Sequence, residues 1–394
     1  LIASTELNIG FAINTDCDNT AMAIGRKTLK ILLLMVLLTL MVAIPAIAGK
    51  PLNAVDIVVN SAAGSAVTNN CETRERIADG AWYQGSAPIM GTEIQVELFH
   101  QNPVLACAAI AAVMQEMRRI DQLMSPYIET SLLSQLNARG AHEFVDVGEE
   151  LFGLINRSQG YSILTGGAFD LTYASAGRYY DYRKGQKPDA DTLREAVEAI
   201  NYRHLELDHR NHAVRFHHEH VYIDLGGIAK GHAVDNGIKI LHKIGIQQAM
   251  VGAGGDSRIL GDRRGEPWVV GVKDPRNREA QIVVLPLLDA SVSTSGDYER
   301  YFVQDGVRYH HIIDPVSGDS ARTVMSVTII GAEATATDAL STSVFVMGAS
   351  RGIELVDRLI GIDAIVVDGD GQVHMSKGLM PMASADTAEV AVYE

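Results

Sequence analysis

Residues 91–124 change hydrophobic period in mid-course, and that change narrows the folds open to the chain. From 91 to 99 apolar residues alternate, with Ile94, Val96 and Leu98 on one face, the pattern of a half-buried strand. Asn102-Pro103 then supplies an N-cap and a first-turn proline for a long apolar helix running to Met124. Such a helix, following a strand at once, buries its apolar stripe by lying back on the sheet. Further helices are expected at 149–164, stopped by Gly166-Gly167, and from an Asp191 cap to Ile200. Residues 205–207 and 213–216 flank a polar turn at Arg210-Asn211 and read as a hairpin. Ile223-Asp224 reads as the end of a strand that passes through Gly226-Gly227 into a helix reaching Ile244. Short strands and glycine-rich turns fill 249–330, among them 268–272, 282–286 and 309–313. Helices near 335–347 and 350–360 precede a last strand pair around Asp368-Gly369-Asp370-Gly371. No βαβ rhythm and no internal repeat is visible. The fold class is therefore α+β, with a mixed, largely antiparallel sheet and packed helices.

The N-terminus stands apart from this pattern. Arg26, Lys27 and Lys30 precede an apolar run from Ile31 to Ile44, interrupted only by Thr39 and closed by Pro45. Ala46-Ile47-Ala48 then offers small residues where signal peptidase needs them. Residues 1–48 are expected to be a secretory signal peptide, with an uncleaved inner-membrane anchor as the alternative. Met22 stands where an ordinary signal begins, so 1–21 read as an over-extended start. Residues 49–87 are polar and irregular and read as a linker or extension, leaving 88–394 as the domain. Export places the protein in the periplasm, where Cys71 and Cys107 are free to pair, although Cys107 sits in an apolar helical stretch and reads as buried.

The formal net charge is −15, and removing 1–48 leaves it unchanged because three basic and three acidic residues go together. That argues against nucleic acid as a partner, since phosphate neutralisation needs a cationic face. An anionic ligand here requires positive charge assembled locally.

Three segments could assemble it. In 223–235 (IDLGGIAKGHAVD) two glycines permit a tight turn, and backbone N–H groups at a helix start with Lys230 one turn in suit a diphosphate. The spacing is not that of a Walker A loop. In 334–342 (ATATDALST) Asp338 and Thr342 are four apart, so both oxygens share one helical face and form a hard pair suited to Mg²⁺. In 309–318 (YHHIIDPVSG) a strand would send His310 and His311 to opposite faces, leaving one to handle protons in a cleft. The run His217-His218-Glu219-His220 also resembles a metal cluster, but neighbours in a hairpin turn do not converge on an ion without a further ligand.

Together these segments resemble the ApbE family of FAD:protein FMN transferases. Met90-Gly-Thr, Ser125-Pro-Tyr127 with Ser134-Gln-Leu-Asn137, Gly167-Ala-Phe-Asp170, the 224–235 segment, Gly254-Gly-Asp256 and Val292-Ser-Thr-Ser-Gly296 occur in the family's order. His311-Ile-Ile-Asp-Pro315 and Thr337-Asp-Ala-Leu-Ser-Thr342 complete the series, over about 90–348. The resemblance implies Mg²⁺-dependent cleavage of FAD, transfer of FMN to a threonine or serine hydroxyl of a target protein, and release of AMP. It implies FAD contacts at Met90, Tyr127, Ala168, Phe169, Asp170, Asp224, Lys230 and Ile312. A metal site is implied at Gly227 (through its carbonyl), Asp338, Ser341 and Thr342, with His311 and Asp338 catalytic. The acceptor is expected to be a membrane redox subunit or a periplasmic reductase. Leu171 stands where relatives carry proline, Leu132 where glutamate is frequent, and 173–182 replaces a tryptophan-bearing segment; these departures bear on ring contacts rather than on the metal site. Two other functions fit the same segments: an FAD pyrophosphatase using water, and a flavin-binding or assembly protein without turnover.

Overall fold

In the computed structural model, which describes residues 71–277 and 279–380, the first elements are three antiparallel strands, β1 (Glu72–Ile77), β2 (Gly80–Ile89) and β3 (Thr92–His100). The sheet thus begins well before residue 88, where the sequence placed the start of the domain. β1 escaped notice because it is a polar, exposed edge strand with no alternation to read. In β2 the inward-facing residues are Ala81, Tyr83, Ala87 and Ile89, two of them alanines that leave a weak alternation. The expected leader, residues 49–70 and residues 381–394 lie outside the described residues.

Helix α1 (Pro103–Met124) follows as expected: the Asn102 side chain accepts from the N–H groups of Val104 and Leu105, and Pro103 opens the first turn. Its buried face, including Ile110, Val113, Met117 and Ile120, packs on the inner face of the sheet. Next come α2 (Leu132–Arg139), β4 (Val145–Asp146), α3 (Gly148–Leu164), α4 (Ala174–Gly177) and α5 (Ala190–Glu198). The cap of α5 is Asp189, not Asp191: the Asp189 carboxylate accepts from Thr192 N at 2.8 Å, while Asp191 lies within the first turn. β5 (Leu205–Asp208) and β6 (Ala213–Phe216) form the expected hairpin, joined by β4 into a small sheet.

Ile223-Asp224 is not strand. Its backbone is held instead by the Asn137 side chain, which bonds both Ile223 N and Ile223 O, and by Leu171 O, which accepts from Asp224 N at 3.1 Å. Helix α6 (Ala229–Ile244) leads to β7 (Ala249–Ala253), β8 (Asp256–Leu260), the hairpin β9 (Trp268–Lys273) and β10 (Gln281–Leu287), and β11 (Ser291–Gly296). A second hairpin, β12 (Tyr301–Gln304) and β13 (Val307–His310), ends sooner than the expected 309–313 strand, because Ile312 N turns back onto His310 Nδ1. β14 (Val324–Gly331), α7 (Ala334–Met347), α8 (Ala349–Val356), β15 (Asp363–Asp368) and β16 (Val373–Met375) complete the fold; α8 stops short of residue 360.

Nine strands run β1-β2-β3-β7-β8-β11-β14-β15-β16, and every pairing among the described strands is antiparallel rather than mixed. Helices α1 and α6 cover one half of one face, and α7 covers the other half through Leu340, Val344 and Phe345 against Val327, Ile329 and Val366. The opposite face is covered near β2 by the β9–β10 hairpin, where Trp82 and Trp268 meet edge to face at 5.3 Å. The N-termini of α6 and α7 therefore meet at mid-sheet, beside β8 and β11.

Candidate active site

The two helices meet more closely than side chains ordinarily allow. A Cβ at Gly231 would sit 2.2 Å from Ala334 O and 2.8 Å from Asp338 Cβ, so glycine is required there. The contact lets Gly231 N donate to Asp338 Oδ2 at 2.9 Å. One turn on, the Asp235 carboxylate of α6 accepts from Ala334 N and Thr335 N, both at 2.9 Å, and so caps α7 from outside. Burial works to raise the Asp235 carboxyl, but the Thr335 and Ala334 donors and Arg258 outweigh it and hold it below the usual value.

Into this junction the chain sets a cation and two carboxylates. Lys230 Nζ pairs with Asp256 and lies 3.4 Å from Asp338 Oδ1; both carboxylates are almost fully buried. Burial and the Asp256 charge push the Asp338 carboxyl up, against Lys230 and the Gly231 N–H. Burial opposes the Lys230 charge, yet Asp256 and Asp338 raise it above the ordinary lysine value. Two anions facing one cation leave room for further positive charge.

The hard oxygens around Asp338 fit a divalent ion. A Cβ at Gly227 would lie 3.1 Å from Thr342 Oγ1, which places the Gly227 backbone against that hydroxyl. Among the described residues Thr342 Oγ1 has no hydrogen-bond partner. Asp338, Thr342 and the Gly227 carbonyl offer hard oxygens of the type Mg²⁺ takes. Ser341 is buried behind them, its hydroxyl bonded to Asp338 O at 2.9 Å and to Ser295 Oγ at 2.8 Å.

The remaining residues line the cleft unevenly. Met90 and Gly91 form the β2–β3 turn, both at positive φ (55° and 67°). Tyr127 is 83% exposed in the turn between α1 and α2. Phe169 is buried, edge-on to Tyr161 at 6.0 Å, with a ring carbon 3.3 Å from the Gly227 Cβ position; Ala168 precedes it, half-buried. Asp170 spends its carboxylate on Thr172 N (2.8 Å), Thr172 Oγ1 (2.6 Å) and Tyr202 N (2.7 Å), shaping the loop. Asp224, half-buried, accepts from Gly226 N at 2.6 Å; burial raises its carboxyl against that bond and Arg300. Ile312 is buried beside α7.

The two histidines do diverge. His310 is buried, hydrogen-bonded to Ala321 O at 2.5 Å and edge-on to Phe345. His311 is half-buried, with Nδ1 enclosed and unpartnered among the described residues. Burial first, then the Arg300 charge, holds its imidazole down to about 3, so it is neutral near pH 7. Two contributors escaped the sequence reading. Asp256 stood in a quoted motif without a role, and Arg300 carried no signal; its guanidinium donates to Gly91 O at 3.2 Å, and its carbonyl accepts from His311 N at 3.1 Å.

Elsewhere, His217 pairs with Glu206 and His218 stacks on His204, and among the described residues no group of three or more His, Cys, Asp or Glu is arranged to hold a metal. A cavity of about 400 Å³ beside Arg74, Gln84, Gln95 and Glu97 contains none of the cleft residues.

Comparison with known proteins gives a consistent result. The model of the ApbE family matches residues 90–366. An FAD:protein FMN transferase of Treponema pallidum is 31% identical over 79% of this chain and 90% of its own length. One of Vibrio cholerae is 30% identical over 76% and 92%. Among solved structures, the ApbE protein of Thermotoga maritima superposes with a TM-score of 0.70 at 38% identity, covering 75% of this chain and 97% of that one. The flavin transferase ApbE of Vibrio cholerae gives 0.68 at 27% identity, covering 76% and 98%.

Proposed function

The chain belongs to the ApbE family, and we propose that it is an exported FAD:protein FMN transferase that uses magnesium to move FMN onto a threonine or serine hydroxyl of an acceptor protein. The observation that carries this reading is the pairing of half-buried Lys230 with buried Asp338, 3.4 Å apart, with Thr342 one turn further along α7. Lys230 with Asp256 and Asp338 carries more negative than positive charge, so in an acidic protein this cluster suits a diphosphate only together with a bound cation. Asp338, Thr342 and the Gly227 carbonyl would hold the ion, with Ser341 behind them. When bound, magnesium neutralises diphosphate oxygens and eases departure of the leaving phosphate.

The chain's own groups account for the remaining chemistry. Lys230 binds the diphosphate; the N–H groups at the start of α6 are taken within the chain, those of Ile228 and Ala229 by Leu225 O and that of Gly231 by Asp338. Met90, Tyr127, Ala168, Phe169, Asp170, Asp224 and Ile312 form the walls for the rest of FAD. The acceptor oxygen bonds to the FMN phosphorus as the phosphorus–oxygen bond to AMP breaks, and AMP leaves with that electron pair. His311 is the group we assign to take the hydroxyl proton; burial and Arg300 hold its imidazole low in the ligand-free chain, so this role requires the anionic diphosphate of bound FAD to raise it.

Export rests on the basic, apolar and small-residue series of 22–48, and the Cys71–Cys107 disulfide supports an oxidising compartment. The acceptor we expect is a membrane redox subunit or a periplasmic reductase. Incubating the mature protein with FAD, Mg²⁺ and a candidate acceptor, then reading flavin fluorescence in a denaturing gel, tests the proposal. A labelled acceptor band that needs Mg²⁺ is the expected result. AMP release without a labelled band makes the enzyme a pyrophosphatase, and FAD binding without AMP release makes it a flavin carrier.

A further inference from the structure

A transferase whose second substrate is a protein needs a place for that protein beside its base, and the β12–β13 hairpin adjoins His311 directly. The hairpin turns at Asp305-Gly306, both at positive φ (51° and 77°), with Gln304 opposite Val307. Its two strands form a sheet of their own. The bond from His311 N to Arg300 O fixes the ladder: Phe302 and Gln304 bond inward to β13, and the N–H and C=O groups of Tyr301 and Val303 point to the other edge.

The two edges differ. On the β13 side, His310 N donates to Ser320 Oγ at 2.9 Å, and His310 O accepts from Ser320 Oγ and Tyr182 Oη. On the β12 side no described residue hydrogen-bonds the backbone of Tyr301 or Val303; the Tyr301 ring, 39% exposed, lies under the Arg308 guanidinium at 4.3 Å, and Val303 is 59% exposed. Proteins ordinarily blunt such an edge with lysine, proline or an inward charge, and the four residues of β12 carry none of these. The outer strands of the large sheet, β1 and β16, contain none of the cleft residues. β12 is different, because the chain enters it from Arg300 and leaves the hairpin at His311.

We propose that the free edge of β12 is the docking rail for the acceptor, whose hydroxyl-bearing segment adds to it in extended form as a third strand. The proposal rests on the transferase reading above. Main-chain bonds to Tyr301 and Val303 supply affinity without demanding a particular side chain, and the exposed Val303 side chain supplies apolar contact beside the Tyr301 ring, which Arg308 covers on one side. The segment then runs past Arg300 toward the cleft.

Val303→Pro tests this directly. It deletes one outward N–H and leaves the inward ladder intact, and proline is tolerated at an edge position of this kind. Val303→Thr keeps the N–H and serves as the control. The probe is an unmodified synthetic peptide matching the tryptic segment that the wild-type enzyme flavinylates. The expected result is a rise of tenfold or more (about 1.4 kcal/mol) in the apparent KM for the peptide with Val303→Pro. FAD affinity and the rate at saturating peptide stay unchanged, and Val303→Thr behaves as wild type. A folded Val303→Pro enzyme with normal peptide KM overturns the proposal. If that variant loses FAD binding, hydrogen exchange in the wild-type enzyme decides. Slowed exchange at the Tyr301 and Val303 amides under saturating peptide supports the rail, and unchanged exchange overturns it. Failure of the wild-type enzyme to label any protein overturns the transferase reading itself.

Discussion

Lys230 Nζ and Asp338 Oδ1 stand 3.4 Å apart across two helices that meet at their first turns, with Asp256 on the other side of the ammonium. The lysine therefore keeps one carboxylate partner if the other is removed, which separates charge placement from fold integrity. Asp338→Ala removes the charged oxygen of the proposed magnesium site while Lys230 stays paired with Asp256. Turnover is expected to fall by at least roughly a hundredfold, the scale for losing a main electrostatic stabiliser. FAD still binds through its ring system. Near-normal, magnesium-dependent turnover in this variant would show that the metal lies elsewhere.

Gly231→Ala probes the same junction through packing alone. The added Cβ meets Ala334 O at 2.2 Å, and backbone cannot give way as a flexible side chain can. A loss of about 3 kcal/mol of stability is expected, the upper part of the overpacking range. Because Asp338 is displaced with α7, the magnesium concentration for half-maximal rate should rise as well. Denaturant unfolding and a magnesium titration on the same preparation check both; a rise in neither contradicts the close crossing.

His311→Asn separates proton handling from binding. Single-turnover transfer is expected to slow by roughly a hundredfold, the lower end for losing a general base, with FAD affinity by fluorescence quenching little changed. His310→Asn should cost less in rate and more in stability, since His310 is the buried partner of Ala321 O. The His311 imidazole is held to about 3 in the fold, against about 6.5 in an unfolded chain. The unfolded chain then takes up the proton first, so this group's contribution to stability is full above pH ~6.5 and falls as the pH drops toward 3. Melting temperatures of the ligand-free wild type should decline more steeply between pH 7 and pH 4.5 than those of His311→Asn. Parallel curves would remove the assigned environment.

What could be read in advance was local. Asn102-Pro103 and the apolar face behind it are a complete helix start within a few residues, and α1 begins there. Asp338 and Thr342 share a face because of helical spacing, which needs no tertiary information. The rest depended on partners far along the chain. Ile223 has the composition of a strand, yet its backbone groups are taken by Asn137, 86 residues earlier. Asp189 and Asp191 are both acceptable caps by type, and only geometry selects the first. Asp256 and Arg300 act through Lys230 and His311, pairings that no local period encodes. Polar β1 left no pattern because an exposed edge strand has no buried face to alternate with.

Cys71 and Cys107, 36 residues apart, are joined by a disulfide that ties the start of β1 to α1. A loop of that length corresponds to about 3–4 kcal/mol in the loop-closure account. Reduction, or Cys71→Ser with Cys107→Ser, should lower the melting temperature while leaving the transfer rate at 25 °C near normal, because neither cysteine adjoins the cleft. Two titratable thiols in the native, unreduced protein would contradict the bond.

The exported protein is expected to begin at Gly49, after Ala48. N-terminal sequencing of material recovered outside the cytoplasm checks this. Recovery of the intact 31–44 segment makes it an anchor instead.

The contact between Gly231 and Ala334 leaves no clearance, so the wall of the cleft that carries Lys230, Asp338 and Thr342 behaves as a fixed anvil. Its charges are in position before any substrate arrives, and no reorganisation is required of them during the reaction. The opposite wall is built differently. The Met90-Gly91 turn and the β12–β13 hairpin are joined there through Arg300, and neither is pinned between helices. That second wall thus depends on one guanidinium contact, from Arg300 to Gly91 O, where the first depends on backbone packed against backbone.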